Sequence, residues 1–199
     1  MFKKIFISLI TFSFFSIITI GSIQAQEANS YYFGLSGLIV MENYDGDKTE
    51  DKFIGNVNAD FDDTWGLQIH GGYILNEYAS AELRFEYIGT SDADLGYNYE
   101  SEMDVMDLTV NIKGKLPIKE FFVPYTVFGI GLMNSYEEIS AGNTSKKSDW
   151  GPCSRFGIGL DFPVHSKFSF GLELAYVIGL GNIDHIEYST IGLGATYRF

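Results

Sequence analysis

The sequence predicts an all-β fold: an eight-stranded antiparallel up-and-down transmembrane β-barrel. Three observations predict it. After Gln26, apolar residues alternate with polar or small ones through most of the chain, the side-chain period of a strand. The polar face of that alternation is rich in Gly, while the apolar face carries large aromatics near the segment ends. The connections between segments alternate short and long.

A soluble β-sandwich also alternates, but its polar face looks at water and has no reason to be small. A membrane barrel explains both faces. Lipid accepts bulky side chains, a narrow lumen favours small or hydrogen-bonded ones, and aromatic girdles mark the two interfaces. Open sheet edges cannot survive in hydrocarbon, so the sheet must close, and bacterial barrels close with even strand numbers.

The first 25 residues read as a leader rather than as structure. Lys3 and Lys4 precede the apolar run Ile5 to Ile20, and Gly21 to Ala25 ends on a small residue. That is the order of a secretory signal peptide, cleaved after Ala25. The alternative, a retained helix, is slightly short for the ~20 residues a span needs and lacks anchoring charges after it. Residues 26–199 then form one barrel domain. The net charge of −13 becomes −15 once Lys3 and Lys4 leave with the leader. That excess argues against nucleic acid, whose phosphates it would repel. A lone Cys153 excludes an intramolecular disulfide.

Eight segments follow in order. Tyr31 to Met41 is the first, with less clear alternation. Trp65, Leu67, Ile69 and Tyr73 oppose Gly66, Gln68, His70 and Gly72 in the second. Ala79 to Tyr87 sets Leu83 and Phe85 against Glu82, Arg84 and Glu86, and Met106 to Lys113 sets Leu108 and Val110 against Asp107 and Thr109. Val123 to Met133 is the second unclear case, with Phe128, Ile130 and Leu132 expected to face lipid. Arg155 to Phe162, Phe168 to Tyr176 and Thr190 to Phe199 complete the set. Short turns fall at Asn76-Glu77, at 117–120 and at 163–167. Long connections fall at 43–64, 89–102 and 134–152, with a shorter one at 179–186. Short turns face the periplasm and long loops the exterior in such barrels, which puts both termini in the periplasm.

Tyr197-Arg198-Phe199, with apolar residues at every second position back to Ile191, resembles the assembly signal of bacterial outer-membrane barrels. The chain from Gln26 to Phe199 is similar in pattern to the eight-stranded group that includes the OmpA membrane domain, OmpX-type proteins and the opacity or surface-antigen family. The resemblance implies residence in the outer membrane beside lipid and lipopolysaccharide. It also implies insertion by the barrel-assembly machinery through Tyr197 and Phe199. Relative to full-length OmpA the sequence has no periplasmic cell-wall-binding domain, so a tether is not implied.

Nine charges fall on the expected lumen face: Glu82, Arg84, Glu86, Asp107, Lys113, Arg155, Asp161, Glu173 and Arg198. An eight-stranded interior is only wide enough for its own side chains, and unpaired buried charge is costly. A salt-bridge plug is therefore expected rather than an ion path. Glu82 is expected to meet Lys113, and Arg84 to reach Glu173 across the lumen.

The loop Asn43 to Asp51 places oxygen-bearing side chains at alternate positions, as calcium sites do. Its spacing misses the EF-hand pattern, which needs Gly at the sixth position and Glu at the twelfth, where Ile54 stands. A solvated acidic loop is the better reading, and Asp92, Asp94, Glu100, Glu102 and Asp104 support the same view for the next loop. No cofactor or metal is expected. Lipid A-modifying barrels need a Ser with a His base and a carboxylate at the membrane edge. His70 is expected in the lumen and His165 in a periplasmic turn, which leaves only His185, beside Asp184 and near Glu187 and Ser189. Cys153 is expected as a free thiol at the rim of the third loop. The expected function is a non-catalytic envelope or surface-interaction role for a monomer, with a host or surface ligand met by the four outer connections. A narrow channel is the first alternative and a lipid A-modifying enzyme the second.

Overall fold

Strand formation follows from the alternation, because only an extended chain puts every second residue on one face. The computed structural model describes residues 30–42, 64–94, 100–118, 121–140 and 144–199. Eight strands run in chain order: β1 (Tyr31–Glu42), β2 (Thr64–Asn76), β3 (Ala79–Asp94), β4 (Glu100–Lys115), β5 (Val123–Ser140), β6 (Thr144–His165), β7 (Phe168–Gly179) and β8 (Glu187–Arg198). Each pairs antiparallel with the next, and β1 pairs with β8 from Tyr32↔Arg198 to Glu42↔Tyr188, closing the barrel.

The faces divide by parity. On β2, Trp65, Leu67 and Ile69 are exposed while Thr64, Gly66, Gln68 and His70 are buried. Phe128, Ile130 and Leu132 of β5 point outward, as expected. The outward band is apolar on every strand, and it carries aromatics at both ends. Trp65 and Trp150 stand near the loop end. Tyr31 with Tyr73, Phe168 with Phe170, and Tyr197 with Phe199 stand at the short-turn end, their rings 5.1–5.6 Å apart.

The loop side differs from the expected boundaries. Most of 89–102 and 134–152 is strand: β3 continues to Asp94, β4 begins at Glu100, β5 reaches Ser140 and β6 begins at Thr144. The ladder continues there, with Glu138 opposite Lys146 and Glu137 opposite Lys147 in register. Above the lipid no apolar face is required, so the alternation fades while the pairing continues. The stretch 43–51, expected as a solvated acidic loop, lies outside the described residues. On the other side β6 extends through Pro163, leaving Ser166-Lys167 as the turn.

Candidate functional site

The inward faces of the strands build three layers. Nearest the loops is an apolar layer: Leu38, Val40, Ile88, Met103, Val105, Met133, Cys153, Val177, Ile183, Ile186 and Tyr188 are all buried together. Ile183 comes from a single 3-10 turn, Gly181–Ile183, in the fourth connection. A Cβ at Gly179 would fall 2.1 Å from the Ile183 carbonyl oxygen, so glycine there lets the turn fold in. Cys153 is therefore not a rim thiol. Its strand continues past the expected loop boundary, and its parity turns the sulfur inward.

The middle layer is ionic. Glu173 Oε1 accepts from Arg84 Nη1 at 2.5 Å and from Arg155 Nη2 at 2.8 Å. Arg84 Nη2 donates to Glu82 Oε2 at 2.7 Å. Arg155 Nη1 lies 2.6 Å from Glu86 Oε1, an ion pair whose angle is poor for a hydrogen bond. Asp107 stands directly opposite Glu86 in the ladder and accepts from the Tyr188 hydroxyl. Taking such ions out of water is costly, and the mutual geometry offsets that cost.

The third layer begins at Lys113, whose Nζ is 2.8 Å from Asp161 Oδ2 but 4.0 Å from Glu82 Oε1. The expected Glu82–Lys113 pairing is therefore a marginal contact. The register sets Glu82 against Asn111 and Lys113 against Ser80, and the tilt of the strands brings Asp161 level with the ammonium. Arg84 and Glu173 meet as expected. Arg198 does not join the network. It sits at the short-turn mouth, where its ladder partner is Tyr32 rather than an acid. Tyr197 and Phe199 point outward beside each other.

Three tyrosines complete the network and were missing from the sequence expectation. Tyr32 donates to Glu82 at 2.6 Å, Tyr125 to Glu173 at 3.0 Å, and Tyr188 to Asp107. A Cβ at Gly159 would lie 2.3 Å from the Tyr125 ring, so glycine there makes room for it. Parity was the available signal: each tyrosine shares the register of inward residues on its strand.

The histidines assemble no triad among the described residues. His70 is buried between Gln68 and Thr196, each 3.3 Å away. His165 and Ser166 are neighbours 3.3 Å apart in an exposed turn. Glu187 accepts a hydrogen bond from the Tyr176 hydroxyl.

Two comparisons bear on fold and length. Outer membrane protein A of Salmonella typhi is 22% identical over 153 residues, covering 74% of this chain and 43% of the relative. The same protein of Shigella flexneri matches at 22%, over 44% of its length. The chain thus spans less than half the length of these curated relatives. Among solved structures, Neisserial surface protein A superposes with a TM-score of 0.61 at 11% identity, over 87% of this chain and 100% of that one. Ail of Yersinia pestis, in complex with the heparin analogue sucrose octasulfate, gives 0.59 at 17% identity over the same shares. The model of the outer membrane protein beta-barrel domain matches residues 13–199, and the closed sheet of eight strands with its lipid-facing band agrees with it: the chain belongs to that family and resides in the bacterial outer membrane.

Proposed function

We propose that this is a non-catalytic surface protein. Its barrel is a sealed anchor, and its outer strands and the connections 43–64, 89–102, 134–152 and 179–186 meet a partner outside the cell. One observation carries the reading. On the loop side the sheet does not end level. Pairing of β6 with β7 stops at Cys153↔Gly179, yet β5 and β6 stay paired to Ser140↔Thr144. Past Trp150 that hairpin rises six further residues, roughly 20 Å of strand. Among the described residues no strand other than β5 pairs with Thr144–Gly151, so this hairpin rises past the end of β7.

The chemistry of the connections narrows the partner. The stretch 43–64 holds seven acidic residues and two lysines, and 89–102 holds four acidic residues and no basic one. A partner with a basic face fits them, whereas a sulfated sugar such as the heparin analogue bound by Ail does not. The same reading takes 1–25 as a leader and the chain as a monomer in lipid. It also takes Tyr197 and Phe199 as the element met by the barrel-assembly machinery. The channel alternative needs a continuous water path, and the apolar layer stacked on the ion pairs opposes one.

The test is attachment. Bacteria expressing the protein should gain adhesion to host-cell layers, and replacing residues 137–147 with a two-residue turn should abolish the gain while leaving a heat-modifiable barrel. No gain on expression, or equal adhesion by the shortened form, overturns the reading. Steady conductance of the intact barrel in planar bilayers would instead promote the channel.

A further inference from the structure

The interior is closed toward the loops but open toward the short turns. Past the Lys113–Asp161 pair it widens into a cavity of about 280 Å³. Four basic side chains line it, Lys113, Lys115, Lys167 and Arg198, against two acidic ones, Glu77 and Asp161. Lys113 and Asp161 neutralise each other. Three cations on β4, the β6–β7 turn and β8 therefore face one carboxylate, in a chain whose net charge is −13. No ion pair among the described residues takes Lys115, Lys167 or Arg198.

Burial and the like charges of Lys113 and Arg198 disfavour the Lys115 ammonium, and only the more distant charges of Asp161 and Glu82 and the Tyr32 ring, its centroid 5.5 Å away, offset them. Like charges converging in a concavity with low-dielectric walls raise the local concentration of anions. Arg198 supplies a planar fork suited to two oxygens of one group, and Lys115 a point charge. Ser169 and Thr196, on the same wall, add hydroxyls. The volume matches the small end of ligand pockets, roughly 300 Å³, and suits a group of a few heavy atoms rather than a polymer.

We propose that this mouth is a binding site for a phosphoryl oxyanion presented from the periplasmic side, held by Lys115 and Arg198. The group can come from two sources: a soluble phosphate, or the headgroup of an anionic phospholipid in the adjoining inner leaflet. The occupied site would relieve the repulsion between the two cations and fill the only open end of the described interior.

The experiment uses the folded chain, isotope-labelled for NMR. One arm adds inorganic phosphate in uncharged detergent micelles at constant ionic strength, with chloride as the balancing anion. The other compares nanodiscs of phosphatidylcholine alone with nanodiscs containing phosphatidylglycerol. Saturable shifts of the Lys115, Thr196 and Arg198 amides are expected in at least one arm. Lys115→Gln with Arg198→Gln should weaken the response about tenfold or more, while Lys147→Gln at the opposite end leaves it unchanged. Each variant is first checked for a heat-modifiable fold, and the single variants serve where the double one fails to fold. Saturation by phosphate identifies a soluble ligand, and saturation in phosphatidylglycerol discs alone identifies the headgroup. Shifts that stay linear in both arms, or that survive loss of both cations, overturn the site.

Discussion

Lys113 on β4 and Asp161 on β6 meet at 2.8 Å across the lumen, reaching past the strand that separates them. Glu82, on the adjacent strand and diagonal to Lys113 in the register, is 4.0 Å from the same ammonium. Proximity in sequence register and proximity in charge thus select different partners for one lysine.

A double-mutant cycle should resolve them. Lys113→Met with Asp161→Asn should show a coupling of about 0.5–3 kcal/mol, reduced from the fully buried case because the Asp161 side chain is 19% exposed. The cycle of Lys113→Met with Glu82→Gln should show less. Urea unfolding in detergent micelles measures both, and the reverse order would refute the arrangement.

Cys153 should be silent toward a water-soluble maleimide in the folded barrel and react fully after unfolding. Its sulfur is buried in the same apolar layer as Ile183, so prompt labelling of the native protein would mean that the loop end admits water and reagent.

Two glycines should respond oppositely to alanine. At Gly159 the added carbon meets the Tyr125 ring at 2.3 Å and the Leu172 carbonyl at 2.6 Å. Overpacking there should cost about 1–3 kcal/mol. At Gly37 nothing lies within 4 Å, and relief of backbone entropy should stabilise by roughly 0.5–1 kcal/mol. Equal effects at both sites would contradict the packing.

Phe199→Ala should separate stability from assembly. The ring is 68% exposed and packs edge-on against Tyr197, so refolding into detergent should proceed as in the original chain. The heat-modifiable fraction recovered from cells should fall. If both yields are unchanged, Phe199 is not an assembly element.

N-terminal sequencing of the protein extracted from outer membranes should begin at Gln26. A start at Met1 would discard the leader reading.

The barrel was legible because lipid reverses the usual sorting: Leu67, Leu108 and Ile130 could face outward only against hydrocarbon. Less legible was the interior, where sorting by polarity fails. Ile88 shares the parity of Glu86 on β3, and Val177 that of Glu173 on β7, yet both are apolar, because the loop end of the lumen excludes water as the membrane does. The three tyrosines were hidden for the opposite reason, since their rings resemble girdle residues and only their parity betrays the hydroxyl pointing at an acid. Partner choice within the network depended on strand stagger, which residue counts along one hairpin do not contain.

Closure of β1 on β8 has a consequence for the order of folding. Tyr32 finds its ladder partner at Arg198, so that contact spans most of the described chain, whereas every other seam joins consecutive strands. Seven seams can zip as successive hairpins at modest entropic cost, but the eighth must wait for all of them. Until then the growing sheet carries two bare edges that hydrocarbon cannot solvate. A half-built barrel is therefore an unstable visitor to the bilayer, and the chain must enter it nearly whole or with both edges held by another protein.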